Sequence, residues 1–234
     1  MRVSNLFLVA IFSLITGYSH GAISLSATRI IYNGSKKDAS INILNSNDSD
    51  TVIQTWLEGD DVYSQAPPFA VTPPLAKIKG NKRQLLRVIY QGVGLPQDRE
   101  SVFWLNVQEI PLKAEGGNVL QLALMQRIKV FYRPTNLQGE SYLAPERLEI
   151  SIFNNQLVIK NPTPFYINMV SLSQGRTEVN GRMLPPASST SLPIDSLDYN
   201  GMFTFSAVND FGAVVDYSSE FLQGVASPLK LKKG

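Results

Sequence analysis

The sequence predicts an all-β fold of two sandwiches, and three observations carry that reading. Short runs alternating apolar and polar residues dominate, separated by turn residues at roughly 8–12-residue intervals. No helix-period pattern extends beyond about two turns. A polar connection, Asn136-Leu137-Gln138-Gly139-Glu140, follows Arg133-Pro134 and divides an earlier strand-rich unit from a later one.

In chain order, Ile23, Leu25 and Ile30-Ile31-Tyr32 form an opening strand that ends at the turn dipeptide Asn33-Gly34. Ala39, Ile41 and Ile43 alternate as a second strand. Val52 to Leu57 follow beyond the polar loop from Asn45 to Asp50. Ala66-Pro67-Pro68 and Thr72-Pro73-Pro74 mark loops, because proline cannot donate to a central ladder; the Thr72-Pro73 step is a candidate cis bond. Leu85, Leu86, Val88 and Ile89 form another strand, and Gly92-Val93-Gly94 reads as a turn. After the connection come strands at Leu148–Ile152, Leu157–Ile159, Ile167–Leu172, Phe203–Val208 and Val214–Tyr217, with turns at Pro185-Pro186 and Tyr199-Asn200-Gly201. These boundaries give units of 22–139 and 140–234.

The first residues have the form of a secretory signal peptide (1–21): Arg2, an apolar stretch from Leu6 to Ile15, and Ser19-His20-Gly21 before Ala22. That stretch falls well short of the roughly 20 apolar residues needed to span a bilayer. Cleavage removes the only histidine, and the chain has no cysteine. A mature chain without either residue cannot form a Ser-His-Asp or Cys-His site, a His-ligated zinc centre or a disulfide. The 44% hydrophobic content fits packed sandwiches. With 21 Lys and Arg against 19 Asp and Glu, the charge is too balanced to argue for nucleic acid or an anionic membrane. The basic end Lys230-Leu231-Lys232-Lys233 reads as a solvated terminus. No cofactor, metal or small-molecule substrate is expected.

The most informative segment is Leu95 to Pro134. In its later part Leu120, Leu122 and Leu124 alternate with Val119, Gln121, Ala123 and Met125, so both strand faces are largely apolar, yet Arg127, Lys129 and Arg133 follow closely. Two readings fit. One is a central strand running out to a charged end. The other is an edge strand whose exposed apolar side chains await another chain, a feature proteins normally blunt.

Leu95-Pro96-Gln97-Asp98-Arg99-Glu100-Ser101, continuing through Phe103-Trp104-Leu105-Asn106-Val107 to Ile110-Pro111, closely resembles the signature of the periplasmic pilus (fimbrial) chaperones. Arg127-Ile128-Lys129-Val130-Phe131-Tyr132-Arg133-Pro134, Asn161-Pro162-Thr163-Pro164-Phe165-Tyr166 and Asn209-Asp210-Phe211-Gly212 resemble that family too, in the right order. The resemblance implies two immunoglobulin-like sandwiches set at an angle with a cleft between them. It implies a binding protein and not an enzyme: a chaperone that caps pilin subunits by donating a strand and delivers them to an outer-membrane usher. Arg29 and Lys129 match the family's two basic cleft residues, which grip the subunit's C-terminal carboxylate. Leu120, Leu122 and Leu124 match the donated side chains, and Glu100, Arg133 and Asp210 an interdomain ion-pair network. The short Leu112-to-Asn118 connection and the missing cysteine pair look like the short-loop branch. Such a free strand is also open to pairing with a second copy.

In isolation these charged residues read as solvated, and strict alternation puts Lys129 on the strand face opposite the leucines, so a bulge or the cleft geometry must reconcile them. Two other classes fit less well: an exported hydrolase using paired carboxylates, for which no acidic segment stands out, and a pilin or adhesin, which would carry a disulfide and a donor segment after the signal peptide. The glycosylation patterns at Asn33 and Asn47 are discounted in a chain resembling bacterial periplasmic proteins.

Overall fold

The computed structural model describes residues 23–59, 67–110, 122–194 and 196–232. The expected signal peptide, the short connection from Leu112 to Asn118 and Leu120 lie outside the described residues. Those described form two β-sandwich domains with separate cores.

The first domain contains β1 (Ile23–Leu25), β2 (Arg29–Asn33), β3 (Ala39–Asn45), β4 (Thr51–Gly59), β5 (Phe69–Thr72), β6 (Leu75–Ile78), β7 (Arg83–Tyr90), β8 (Ser101–Ile110) and β9 (Met125–Arg133). One sheet runs β1-β3-β7-β5 and the other β2-β9-β8-β4-β6. Alternation puts Ile41, Ile43, Leu86, Val88, Ile53, Phe103, Leu105 and Val130 between them, all essentially inaccessible to solvent.

The opening strand predicted as one run is two strands in different sheets. The chain leaves β1 at the exposed Ser26–Thr28 step, where Ser26 and Asn42 still exchange hydrogen bonds, and joins β9 as β2. A second crossing separates β5 from β6 at the two prolines, and the Thr72-Pro73 bond is cis.

A 3-10 helix (Ser141–Arg147) opens the second domain, which adds β10 (Glu149–Phe153), β11 (Gln156–Asn161), β12 (Ile167–Gln174), β13 (Thr177–Asn180), β14 (Met183–Leu184), β15 (Ser188–Pro193), β16 (Gly201–Val208), β17 (Val214–Leu222), β18 (Val225–Ala226) and β19 (Lys230–Leu231). Their order is β13-β12-β16-β17-β18-β10-β11-β15, with β14 on β12 and β19 on β17. This ladder wraps a core built on Leu157, Ile159, Leu172, Phe205 and Phe221. The sequence showed no sign of β5 and β6, which flank the Pro73-Pro74 step read there as loop, nor of β13, β15 and the three two-residue strands. β13 and β15 are polar edge strands, which bury too little to show an apolar alternation.

Candidate functional site

The site forms where β9 meets the second domain. β2 runs parallel to β9 and pairs Arg29 with Lys129 directly. β8 and β9 pair without a register shift from Ser101↔Tyr132 to Gln108↔Met125. Even-numbered residues Ile128, Val130 and Tyr132 therefore face the core, and odd-numbered Arg127, Lys129 and Arg133 face outward. No bulge intervenes in that stretch, so geometry answers the parity question. The Glu109 N–H donates to the Leu124 carbonyl at 2.9 Å, which carries the register one step beyond β9. Leu124 is thus on the core-facing side of the strand but past the end of the core, and it is 51% exposed; Leu122 is 69% exposed. The central-strand reading does not fit these two leucines, because no facing sheet covers them among the described residues.

β9 also has a half-open edge. Its pairing with β8 begins at Met125, whereas β2 begins only at Lys129. Residues 125–128 therefore have no β2 partner.

Lys129 and Arg29 are both half-buried. Burial lowers the Lys129 ammonium below its ordinary pKa, and Arg29 lowers it further. Burial likewise lowers Arg29, against the attraction of Asp210. The Arg29 Nε is buried without a hydrogen-bond partner. Lys129 Nζ donates to Asn168 Oδ1 on β12. On the outward face, Lys129 Nζ lies 5.5 Å and Arg127 Cζ 4.6 Å from the centre of the Trp104 ring, within cation–π range. Two adjacent cations, partly stripped of water and, among the described residues, without a carboxylate in salt-bridge contact with either, form a site for a compact anion.

Glu100, Arg133 and Asp210 come together as one network. Arg133 Nε donates to Glu100 Oε1 at 2.6 Å, and its two terminal nitrogens bind Asp210 bidentately at 2.8 and 3.0 Å. The other Glu100 oxygen accepts the Tyr166 backbone N–H at 2.8 Å, and Ser141 Oγ donates to Asp210 at 2.9 Å. Glu100 and Arg133 belong to the first domain and the other three to the second, so the two Arg133–Asp210 bonds and the Tyr166–Glu100 bond cross the junction. Burial pushes the Glu100 carboxyl up despite Arg133. Asp210 is held low because its Arg133 and Ser141 hydrogen bonds outweigh burial. The loop carrying Asp210 approaches the first domain so closely that a Cβ on Gly212 would come within 2.4 Å of Thr28 Oγ1.

Asp210→Ala should leave Arg29 and Lys129 intact but loosen the junction, since Arg133 would lose both of its hydrogen bonds to the second domain and keep only the Phe165 ring there. Modest destabilisation is expected. Solution scattering should show a wider spread of interdomain angles; a profile matching the parent would make Asp210 an ordinary surface carboxylate.

Sequence reading missed Asn168, Trp104 and the Tyr166 amide. The signals were Phe103-Trp104-Leu105-Asn106-Val107, which holds Trp104, and Asn161-Pro162-Thr163-Pro164-Phe165-Tyr166, which ends two residues before Asn168. There the buried Asn161 amide ties together the Phe165, Leu184 and Pro185 carbonyls and fixes the entry to β12.

Residues 22–138 match the family described as pili and flagellar-assembly chaperone, PapD N-terminal domain, and residues 143–219 match the pili assembly chaperone PapD, C-terminal domain. The chain is 39% identical over 208 residues to the probable fimbrial chaperone LpfB of Escherichia coli O157:H7, covering 84% of this chain and 87% of that protein. Among solved structures it resembles the YadV chaperone, with TM-score 0.74 and 32% identity, covering 86% of this chain and 100% of the other. It also resembles a chain in the Salmonella enterica SafA pilin–SafB chaperone complex, with TM-score 0.75 and 28% identity, covering 86% and 95%.

Proposed function

The chain belongs to the family of pilus-assembly chaperones, and from that premise we propose that it binds, folds and caps pilin subunits by donating a strand. It works in the periplasm, delivers its cargo to an outer-membrane usher, and performs no catalysis. Residues 1–21 are its signal peptide, 22–139 its subunit-binding domain, and 140–234 the second domain. The connection from Leu112 to Asn118 assigns it to the short-loop branch.

The observation that carries this reading is one strand with three successive properties. Leu122 and Leu124 are exposed, residues 125–128 have an edge that β2 leaves open, and Lys129 lies beside Arg29. A pilin strand pairing along that edge would take the leucines, with Leu120 before them, into its own groove. Its terminal carboxylate would end on the two cations. Anchoring one end fixes register, since a one-residue slip turns every side chain to the wrong face. Burying three leucines contributes roughly 1.5–3 kcal/mol each before the costs of association.

The test is co-expression with a pilin subunit and co-purification, using Leu122→Asp as the discriminating variant. Binding should be lost while thermal stability changes by less than about 0.5 kcal/mol, as for an exposed substitution. Retained pilin binding, or a sharply lowered melting temperature, would exclude strand donation at this residue.

A further inference from the structure

The anion site has a member in the second domain that the proposed carboxylate anchor does not include. Asn168 is 9% exposed and lies on β12, opposite Val208. Its partner Lys129 carries only donors, so the amide atom facing it must be the oxygen. That leaves the Nδ2 group beside the ammonium for another acceptor, with no hydrogen-bond partner among the described residues.

The backbone around Asn168 is specialised. The β12–β16 register slips between Met169 and Ser171, leaving Val170 as an extra residue in a bulge. Bulges re-aim neighbouring side chains and recur beside functional sites. Gly181 closes against this bulge: a Cβ there would lie 2.1 Å from the Met169 carbonyl oxygen. Across the junction, Arg29 keeps its buried Nε unpartnered, and Lys129 keeps two of its three N–H groups after binding Asn168.

We propose that Asn168 is the third anchor of the subunit's terminal carboxylate, its Oδ1 orienting the Lys129 ammonium and its Nδ2 donating to the anion. This rests on the carboxylate-anchor reading above. It adds that the second domain grips the anion directly, so a bound carboxylate ties the two domains together. It also gives Asn168 a part in specificity: a carboxylate accepts from all three donors, whereas a terminal amide would turn its NH2 toward one of them.

The test uses an eight-residue peptide of alternating valine and serine, once with a free C-terminal carboxylate and once amidated. Affinities for both are measured by calorimetry for the parent, Asn168→Ala, Asn168→Ser, Asn168→Asp and Arg29→Ala. Asn168→Ala should weaken carboxylate binding about tenfold, the scale of one hydrogen bond to a charged group, and leave amide binding unchanged. The carboxylate preference thereby falls. Asn168→Ser, whose hydroxyl both accepts and donates, should restore part of it. Asn168→Asp, which matches the native side chain in shape, should lose more than Ala by placing a fixed carboxylate on Lys129. An unchanged preference in Asn168→Ala overturns the proposal. Should alanine unfold the chain, parent-like carboxylate affinity in Asn168→Asp overturns it instead. If Arg29→Ala also keeps the full preference, the anchor itself is wrong, and not only the role of Asn168.

Discussion

Replacing Arg29 or Lys129 with alanine is expected to remove pilin binding and leave both sandwiches folded. Each cation is half-buried at the junction, and neither side chain fills a core. Burial lowers the pKa of both and each sits beside the other, so their charges are poorly compensated until an anion arrives. Truncating one partner of a desolvated charged contact typically costs about 2–5 kcal/mol of binding, or roughly a thirty- to several-thousand-fold loss of affinity. Removing a like-charged neighbour relieves repulsion in the free protein, so the melting temperature should hold or rise slightly. A pull-down with a pilin subunit and a thermal melt on the same preparations check both parts. Undiminished binding in both variants would show that the carboxylate is anchored elsewhere.

Arg133→Ala should produce the largest loss of stability. Glu100 is 3% exposed and, among the described residues, has Arg133 as its only side-chain partner; without it, the Tyr166 N–H remains. Breaking a buried ion pair on one side costs about 3–5 kcal/mol, because a charge is left uncompensated. The pH dependence identifies the cause. The Glu100 pKa is already raised by burial in the parent, and loss of Arg133 raises it further. A carboxyl whose folded pKa lies above its unfolded value destabilises the fold while ionised; the penalty shrinks once pH falls below the folded pKa and is gone below the unfolded one. The stability gap between parent and variant should therefore narrow on acidification from neutral pH. Denaturant melts at several pH values measure this; a gap that stays constant would place the damage in packing against Phe165, whose ring Arg133 covers at 5.4 Å. Adding Glu100→Gln should recover part of the loss, since the stranded charge is gone.

Much of the architecture was readable before any coordinates. The period-two runs at Ala39–Ile43, Leu85–Ile89 and Phe203–Val208 became β3, β7 and β16, because a strand buried on one face must alternate. Elements with little apolar surface were not readable: β13 and β15 are polar edges. The 3-10 helix Ser141–Arg147 is too short for a helical period to emerge. The division of the first strand was hidden for a different reason. Ile23 and Leu25 are odd-numbered and Ile30 and Tyr32 even-numbered, a parity change that fits a bulge as well as a break, and only the packing of two sheets decides that Ser26–Thr28 crosses between them.

By itself the sequence determined the class of protein: strand periodicity, the missing cysteines and the motif from Leu95 to Pro134 are local properties of the chain. Arg29, Lys129, Glu100, Arg133 and Asp210 could be named from motifs, but their relations could not. Lys129 and Arg29 are 100 residues apart in number and become register partners only because β2 changes sheets and runs parallel to β9. Arg133 reaches Asp210 and Lys129 reaches Asn168 only across the domain junction. Parity within β9 could be counted in advance, but whether the leucines ended in a core or in solvent depended on where the facing sheet stops. A sequence pattern records which face of a strand a residue occupies, and only the tertiary structure decides what lies opposite that face.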